Sequence, residues 1–157
     1  QLGRPDELYL NPANSFVAGF IGQLRMNLLA CRYRNGALDG DGFSLPARPD
    51  AIASLGAENG ELTVGFRPEA VTVHRQAVAG TCLARVETTQ FQGERAISML
   101  RLGGAPIHVS LDARVQLQVG QSVWLTVPPD QLHVFGADGE RISGPAAAAK
   151  PEAAVAS

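Results

Sequence analysis

The sequence predicts a mainly β protein, a small closed barrel or sandwich, preceded by two short helices and followed by a low-complexity tail. Three observations carry that reading. From residue 24 onward, apolar and polar residues alternate with period two in a series of short segments. Turn signals (QG, GG, VGQ and DG) separate those segments. Hydrophobic residues make up 45% of the 157-residue chain and charged residues 18%, which suits one domain with its own core and is too short for two full-sized ones.

Residues 1–22 read as helical. Pro5 suits a first turn, Asp6 and Glu7 complement the N-terminal dipole, and Leu8 and Tyr9 give an apolar side. Asn11-Pro12 interrupts that helix, because the residue before proline disfavours the α region. A second short helix then carries Phe16, Val17, Phe20 and Ile21 and stops at Gly22. Two such small helices cannot bury their apolar faces between themselves. An amphipathic segment at the very start of a chain without an initiating methionine suggests a cut through a larger protein.

The period-two part begins with LRMNLLACRYR, an Asn35-Gly36 turn and a short returning strand. Residues 46–60, rich in Pro, Ala and Gly, read as a connecting loop. ELTVGFRP is a strand ending at Pro68. In CLARVE, Cys82, Ala84 and Val86 share one face, with Arg85 and Glu87 on the other. AISMLRL, PIHVSL and SVWLTV alternate likewise, and LHVF is a last short strand. The predicted organisation is residues 1–22 as the helical segment, 23–143 as the β domain and 144–157 as a disordered Ala- and Pro-rich tail.

Composition narrows the function. Net charge is −2 with no basic run, which argues against binding a phosphate backbone. The longest apolar stretch, FVAGFIG, is far below the roughly 20 residues of a membrane-spanning helix. Cys31 and Cys82 lack metal-ligand spacing and read as buried thiols. The only lysine, Lys150, follows Ala149, so no G-x-x-x-x-G-K-[ST] phosphate loop exists in this sequence. His74, His108 and His133 lie on separate predicted strands and read as strand residues rather than ligands or bases. Glu87 and Glu94 flank a turn and read as solvated strand ends rather than an acid/base pair. No catalytic residue, cofactor-binding residue or metal site is assigned.

The opening stretch resembles the ATP-binding subunits of bacterial ABC importers for sugars and related solutes (the maltose and glycerol-3-phosphate importer-like family). Their nucleotide-binding domain ends with a segment like Q-x-G-x-P-x-E-L-Y-x-x-P-A-N-x-F-V-A-x-F-I-G, followed by M-N. Among the matching residues here are Gln1, Gly3, Pro5, Glu7, Tyr9, Pro12, Asn14, Phe16, Phe20, Gly22, Met26 and Asn27. A second marker, G-[IF]-R-P-E, stands as Gly65, Phe66, Arg67, Pro68 and Glu69. A third is a V-E strand leading to a G-x-E turn, here Val86, Glu87, Gly93 and Glu94. The fourth, a V-G-x-x-V-x-L strand followed by L-H-x-F, is met by Val119, Gly120, Val123, Leu125, Leu132, His133 and Phe135. Together these cover about residues 1–142 in the family's order.

The resemblance implies the C-terminal end of an ABC nucleotide-binding domain followed by an OB-like (TOBE-type) β-barrel regulatory domain. The function implied is non-catalytic regulation and dimerisation of a subunit that energises uptake of a carbohydrate or related solute. The alternative is a module that senses a sugar, phosphate ester or oxyanion and feeds back on transport; 12 arginines leave room for an arginine-lined pocket. The chain itself is expected to need no cofactor, with ATP and magnesium belonging to the full-length subunit. The implied partners are a second copy through the regulatory domain, its own upstream nucleotide-binding domain, membrane permease subunits and a regulatory protein, and no nucleic acid. The implied location is cytoplasmic, peripheral on the inner membrane. For the motif residues, fold maintenance stands beside partner contact: Arg67 and Glu69 share one side of the bend at Pro68, and Asn14 is placed to cap or brace the second helix. Trp124 alternates with Val123 and Leu125, which makes it an outward-facing interface candidate.

Overall fold

Alternating burial decides most of the elements. The structure, a computed structural model, describes residues 25–47, 60–137, 139, 141–143 and 155–156. In chain order the strands are β1 (Asn27–Arg34), β2 (Ala37–Gly40), β3 (Phe43–Pro46), β4 (Leu62–Phe66), β5 (Thr72–His74), β6 (Cys82–Gln92), β7 (Arg95–Leu102), β8 (Ala105–Asp112), β9 (Ser122–Thr126), β10 (His133–Phe135), β11 (Arg141–Ser143) and β12 (Val155–Ala156). In β1 the residues Asn27, Leu29 and Cys31 are buried and their neighbours exposed; in β7 Ala96, Ser98, Leu100 and Leu102 are buried and alternate with half-buried or exposed residues. The protein is mainly β, as the sequence predicts.

The strands form two six-stranded sheets. The first runs β11-β10-β4-β1-β2-β3 and the second β12-β5-β9-β6-β7-β8. All pairs are antiparallel except β12 with β5. Strand β1 serves two neighbours in succession, residues 27–31 pairing with β4 and residues 32–34 with β2. One cluster of buried side chains joins the sheets: Leu29, Leu38, Leu45, Val64 and Phe66 from the first meet Val73, Val86, Leu100, Ile107, Val109 and Val123 from the second.

The sheets are also pinned at the backbone. The β2–β3 turn at Asp41-Gly42 lies against the β7–β8 turn at Gly103-Gly104 so closely that a Cβ on Gly103 would collide with the Asp41 carbonyl. Gly103 also adopts φ 58°, so both space and backbone conformation ask for glycine there. The Asn35-Gly36 hairpin has φ of 49° and 80° at its two central residues, the signature of the tight turn predicted from that dipeptide.

One expectation needs adjustment, and two others fall wholly or largely outside the described residues. Residues 43–46, partly assigned to a loop, form β3, because Leu45 pairs with Leu38 and both sink into the core. The two helices expected over residues 1–22 lie outside the described residues. The helical turns among the described residues, Pro68–Ala70 and Pro129–Gln131, are single 3-10 turns begun by proline. Of the tail, residues 144–154 and 157 lie outside the described residues, and Val155–Ala156 pair in register with Val73 and His74.

Candidate functional site

The Gly65–Glu69 motif sits where the two sheets meet. Gly65 is on β4 between Leu28 of β1 and His133 of β10. A Cβ there would stand 2.6 Å from Met26 Sδ and 3.2 Å from Phe135 Cε2, so the missing side chain lets Met26 and Phe135 close over the strand. Pro68 ends β4 and starts the 3-10 turn, in which the Ala70 N–H donates to the Arg67 carbonyl at 2.9 Å. Arg67 is only 3% exposed, and burial lowers its guanidinium pKa to about 10, which leaves it charged at neutral pH.

Glu69 is half-buried; burial raises its carboxyl pKa, while its backbone hydrogen bond and the Arg95 charge pull the other way. Arg95 reaches from β7 to β8, its Nη2 donating to the Ser110 carbonyl at 2.8 Å and its Nε to Ser110 Oγ at 3.2 Å. The charged neighbour of Glu69 is therefore a β7 residue that sequence reasoning did not single out. Its identity depends on how the 3-10 turn packs against β8, which no local pattern encodes.

Asn27 has a specific structural task. Its side-chain amide donates to the His108 carbonyl at 2.9 Å, and its Oδ1 accepts from the His108 N–H at 2.8 Å. This two-point bond reproduces one rung of a β-ladder at the outer edge of β8, and links the first sheet to the second. Met26, the other residue of that pair, is buried against Phe135.

The β6–β7 hairpin separates the two glutamates of the third marker. A register shift between Val86 and Thr88 leaves Glu87 out of the ladder, and its Oε1 accepts from Arg101 Nε at 2.8 Å. Gly93 and Glu94 form the turn at the far end of the hairpin, where the Glu94 carbonyl accepts from the Ala113 N–H at 2.8 Å. Glu87 pairs at the hairpin's base and Glu94 lies at its tip beside Asp112 and Arg114. Asp112 is half-exposed, and its hydrogen bonds from Arg114 hold its carboxyl at about 2.

Trp124 is half-buried and faces outward between buried Val123 and Leu125. Its ladder neighbours are His74 on β5 and Leu83 on β6. Leu83 is 56% exposed and on the same outward parity, so the face presents an apolar pair beside Arg85. Leu83 was missed in the sequence because CLARVE was read for its inward residues. His74 Nε2 lies 2.8 Å from Thr126 Oγ1 at the margin of this face.

The remaining polar groups are placed singly. Burial pushes the Cys31 thiol up to about 12, and Cys82 Sγ donates to the Ser44 carbonyl at 3.1 Å. His133 is buried and stacks on Phe135, with ring centroids 6.4 Å apart. His74, His108 and His133 stand on β5, β8 and β10. Among the described residues no group of three His, Cys, Asp or Glu is placed to hold a metal ion, and no helix is long and apolar enough to cross a membrane. Tyr9, Pro12, Asn14, Phe16, Phe20 and Gly22 lie outside the described residues.

Comparison with known proteins matches this architecture in two pieces. The family model of the MalK OB fold domain covers residues 25–71, and that of the TOBE domain covers residues 64–135. The chain is 36% identical over 147 residues to the sn-glycerol-3-phosphate import ATP-binding protein UgpC of Escherichia coli (strain UTI89 / UPEC), and 36% identical over 148 residues to that of Salmonella choleraesuis (strain SC-B67). Each alignment takes in 90% of this chain and 40% of the relative's length. The chain thus spans about two fifths of these relatives, in their C-terminal part. Among solved structures, the cytoplasmic molybdate-binding protein ModG shares the fold with a TM-score of 0.55 at 17% identity, over 69% of this chain and 94% of that one. The chain is similar to the C-terminal part of ABC importer ATP-binding subunits, and between residues 25 and 135 it matches the MalK OB fold and TOBE domains.

Proposed function

We propose that the chain is the non-catalytic regulatory and dimerisation module of an ATP-binding subunit that energises uptake of a carbohydrate or related solute. The observation that carries the reading is the outward pair of exposed Leu83 and half-buried Trp124, set side by side on the second sheet where a solvated surface would be polar. The names of the relatives, import ATP-binding proteins for sn-glycerol 3-phosphate, support the transport context and a phosphorylated polyol as one class of solute.

In this reading ATP and magnesium are bound by the nucleotide-binding domain of the subunit. The β module contributes a standing contact with a second copy. While that contact holds, re-closure of the two ATPase domains is an intramolecular event with a high effective concentration. The membrane permease subunits engage the ATPase domains, and a regulatory protein docks on the remaining surface of the module. The assembly lies on the cytoplasmic face of the bacterial inner membrane.

Solution mass measured by light scattering over a concentration series tests the dimer. A dimer at micromolar concentration that dissociates in Leu83→Glu is the expected result. A wild-type chain that stays monomeric up to millimolar concentration, or a variant that dimerises as well as wild type, removes this face from the mechanism.

A further inference from the structure

The second sheet ends in two edges, and they are closed in different ways. On the β8 side, side chains do the closing. The His108 N–H and C=O point away from β7, and Asn27 takes both. Backbone direction alternates along a strand, so Pro106 and Ser110 present their main-chain groups on that same side. Pro106 brings no N–H, and the Ser110 carbonyl accepts from Arg95 Nη2 at 2.8 Å. An incoming strand finds little left to pair with along β8.

On the β5 side the cover is a strand. Val155 and Ala156 pair in parallel with Val73 and His74, while the His74 ring is engaged with Thr126 of β9. The register continues across the sheet: Ala156, His74, Trp124 and Leu83 hold successive places on β12, β5, β9 and β6. Strand β12 thus adds one more strand at the margin of the face that carries Trp124 and Leu83. The contact is two residues long, and β5 itself is three. Eleven residues separate β12 from β11, which pairs with β10 at the margin of the first sheet. The match to the TOBE domain ends at residue 135, so the contact lies outside the matched domain.

We propose that the outer edge of β5 is a strand-addition site, and that Val155–Ala156 is its resident strap, held by its own chain and displaceable. Main-chain bonds supply the affinity of such a site, so its occupant needs an extended backbone with free N–H groups. Two paired residues hold weakly by themselves. The eleven-residue connection keeps the segment at a local concentration on the order of millimolar, and that holds it in place. Release of the strap is a local opening that leaves the body folded. It uncovers unpaired backbone groups beside Trp124, so the strap decides whether that edge is available. The strap does not depend on the dimer: a monomer that carries it, or a dimer that forms without it, separates the two.

The experiment uses the full ¹⁵N-labelled chain and a variant, Val155→Pro, whose proline cannot donate to the ladder. Hydrogen exchange at the edge-facing amides of β5 should rise at least about tenfold in the variant, with an unchanged urea midpoint. A synthetic peptide of residues 150–157, added to the variant, should shift the amides of residues 72–74 with a midpoint on the order of millimolar. The same peptide carrying the proline should leave them unmoved. A nitroxide on Ser157→Cys, with Cys31 and Cys82 buried, should broaden Val73 and His74 of its own chain and not those of a ¹⁵N-labelled chain mixed with it. Unchanged exchange in Val155→Pro, or a peptide without effect up to about 10 mM, overturns the strand-addition site. A lowered urea midpoint makes the segment part of the body, and broadening that passes between copies makes it a swapped strand; either result overturns the strap.

Discussion

The centre of the first sheet and the outer face of the second differ in what surrounds their residues. Strand β4 is buried along nearly its whole length, with Phe66 fully enclosed and Gly65 pinched between Met26 and Phe135. On β6 and β9, every second residue leaves the core, and Leu83, Arg85 and Trp124 stand at the surface. The family markers that lie among the described residues favour the first kind of place: Met26, Asn27, Gly65, Arg67 and Pro68 are all buried at the junction of the sheets. The residues with chemistry to offer a partner are mostly of the second kind. These markers therefore show where the body is assembled, whereas Glu87, Val119 and Gly120, from the other two markers, lie on the outer face of the second sheet.

The largest effect should come from emptying the junction. Phe66→Ala is expected to cost about 3–5 kcal/mol, read as a lowered urea midpoint, because the enclosed ring leaves a cavity. A loss below about 1 kcal/mol would show that the centre of the first sheet collapses easily, and would erase the contrast. Next comes Asn27→Ala, which strips the His108 N–H and C=O of their partner and should cost about 1–3 kcal/mol. Amide exchange at His108 should rise in that variant by more than the global change in stability, because its bond to the first sheet is gone.

A smaller effect is expected from pH. Burial raises the Glu69 carboxyl above its ordinary 4.5, so the folded chain holds that proton more tightly than the unfolded chain does. The stability it contributes is full below 4.5 and declines as pH rises through the raised folded value. Glu69→Gln should flatten the urea-midpoint profile above pH 4.5; an unchanged slope would place Glu69 with the solvated surface groups. The smallest stability change belongs to Leu83→Glu, within about 0.5 kcal/mol, although it is the variant expected to abolish self-association. If it unfolds the chain instead, the outer face is part of the core and the distinction between the two regions fails.

How much of this was legible follows the same division. Alternation in CLARVE and AISMLRL fixes which side chains enter the core, and Asn35-Gly36 fixes a turn, because both are properties of neighbours in sequence. Strand β3 was missed because four residues with a proline carry too little pattern until Leu45 is seen opposite Leu38. The Asn27–His108 bond, the Arg95 neighbour of Glu69 and the pairing of Val155–Ala156 with β5 each depend on register or packing between elements. In the β6–β7 hairpin, one displaced residue at Glu87 decides which side chains meet, and no composition or spacing announces it.

The order of strands has a kinetic consequence. Strand β4 lies between β1 and β10, yet strands β5 to β9 of the second sheet separate β4 from β10 along the chain. During synthesis the first four strands can pair as they emerge, while one side of β4 keeps its backbone groups unpaired until His133–Phe135 arrives. Closing so long a loop is slow compared with forming the local hairpins, and an open apolar edge is a template for the wrong strand. The nascent protein thus passes through a stage in which a largely buried strand is its most adhesive one, and β10 is the cover that ends that exposure.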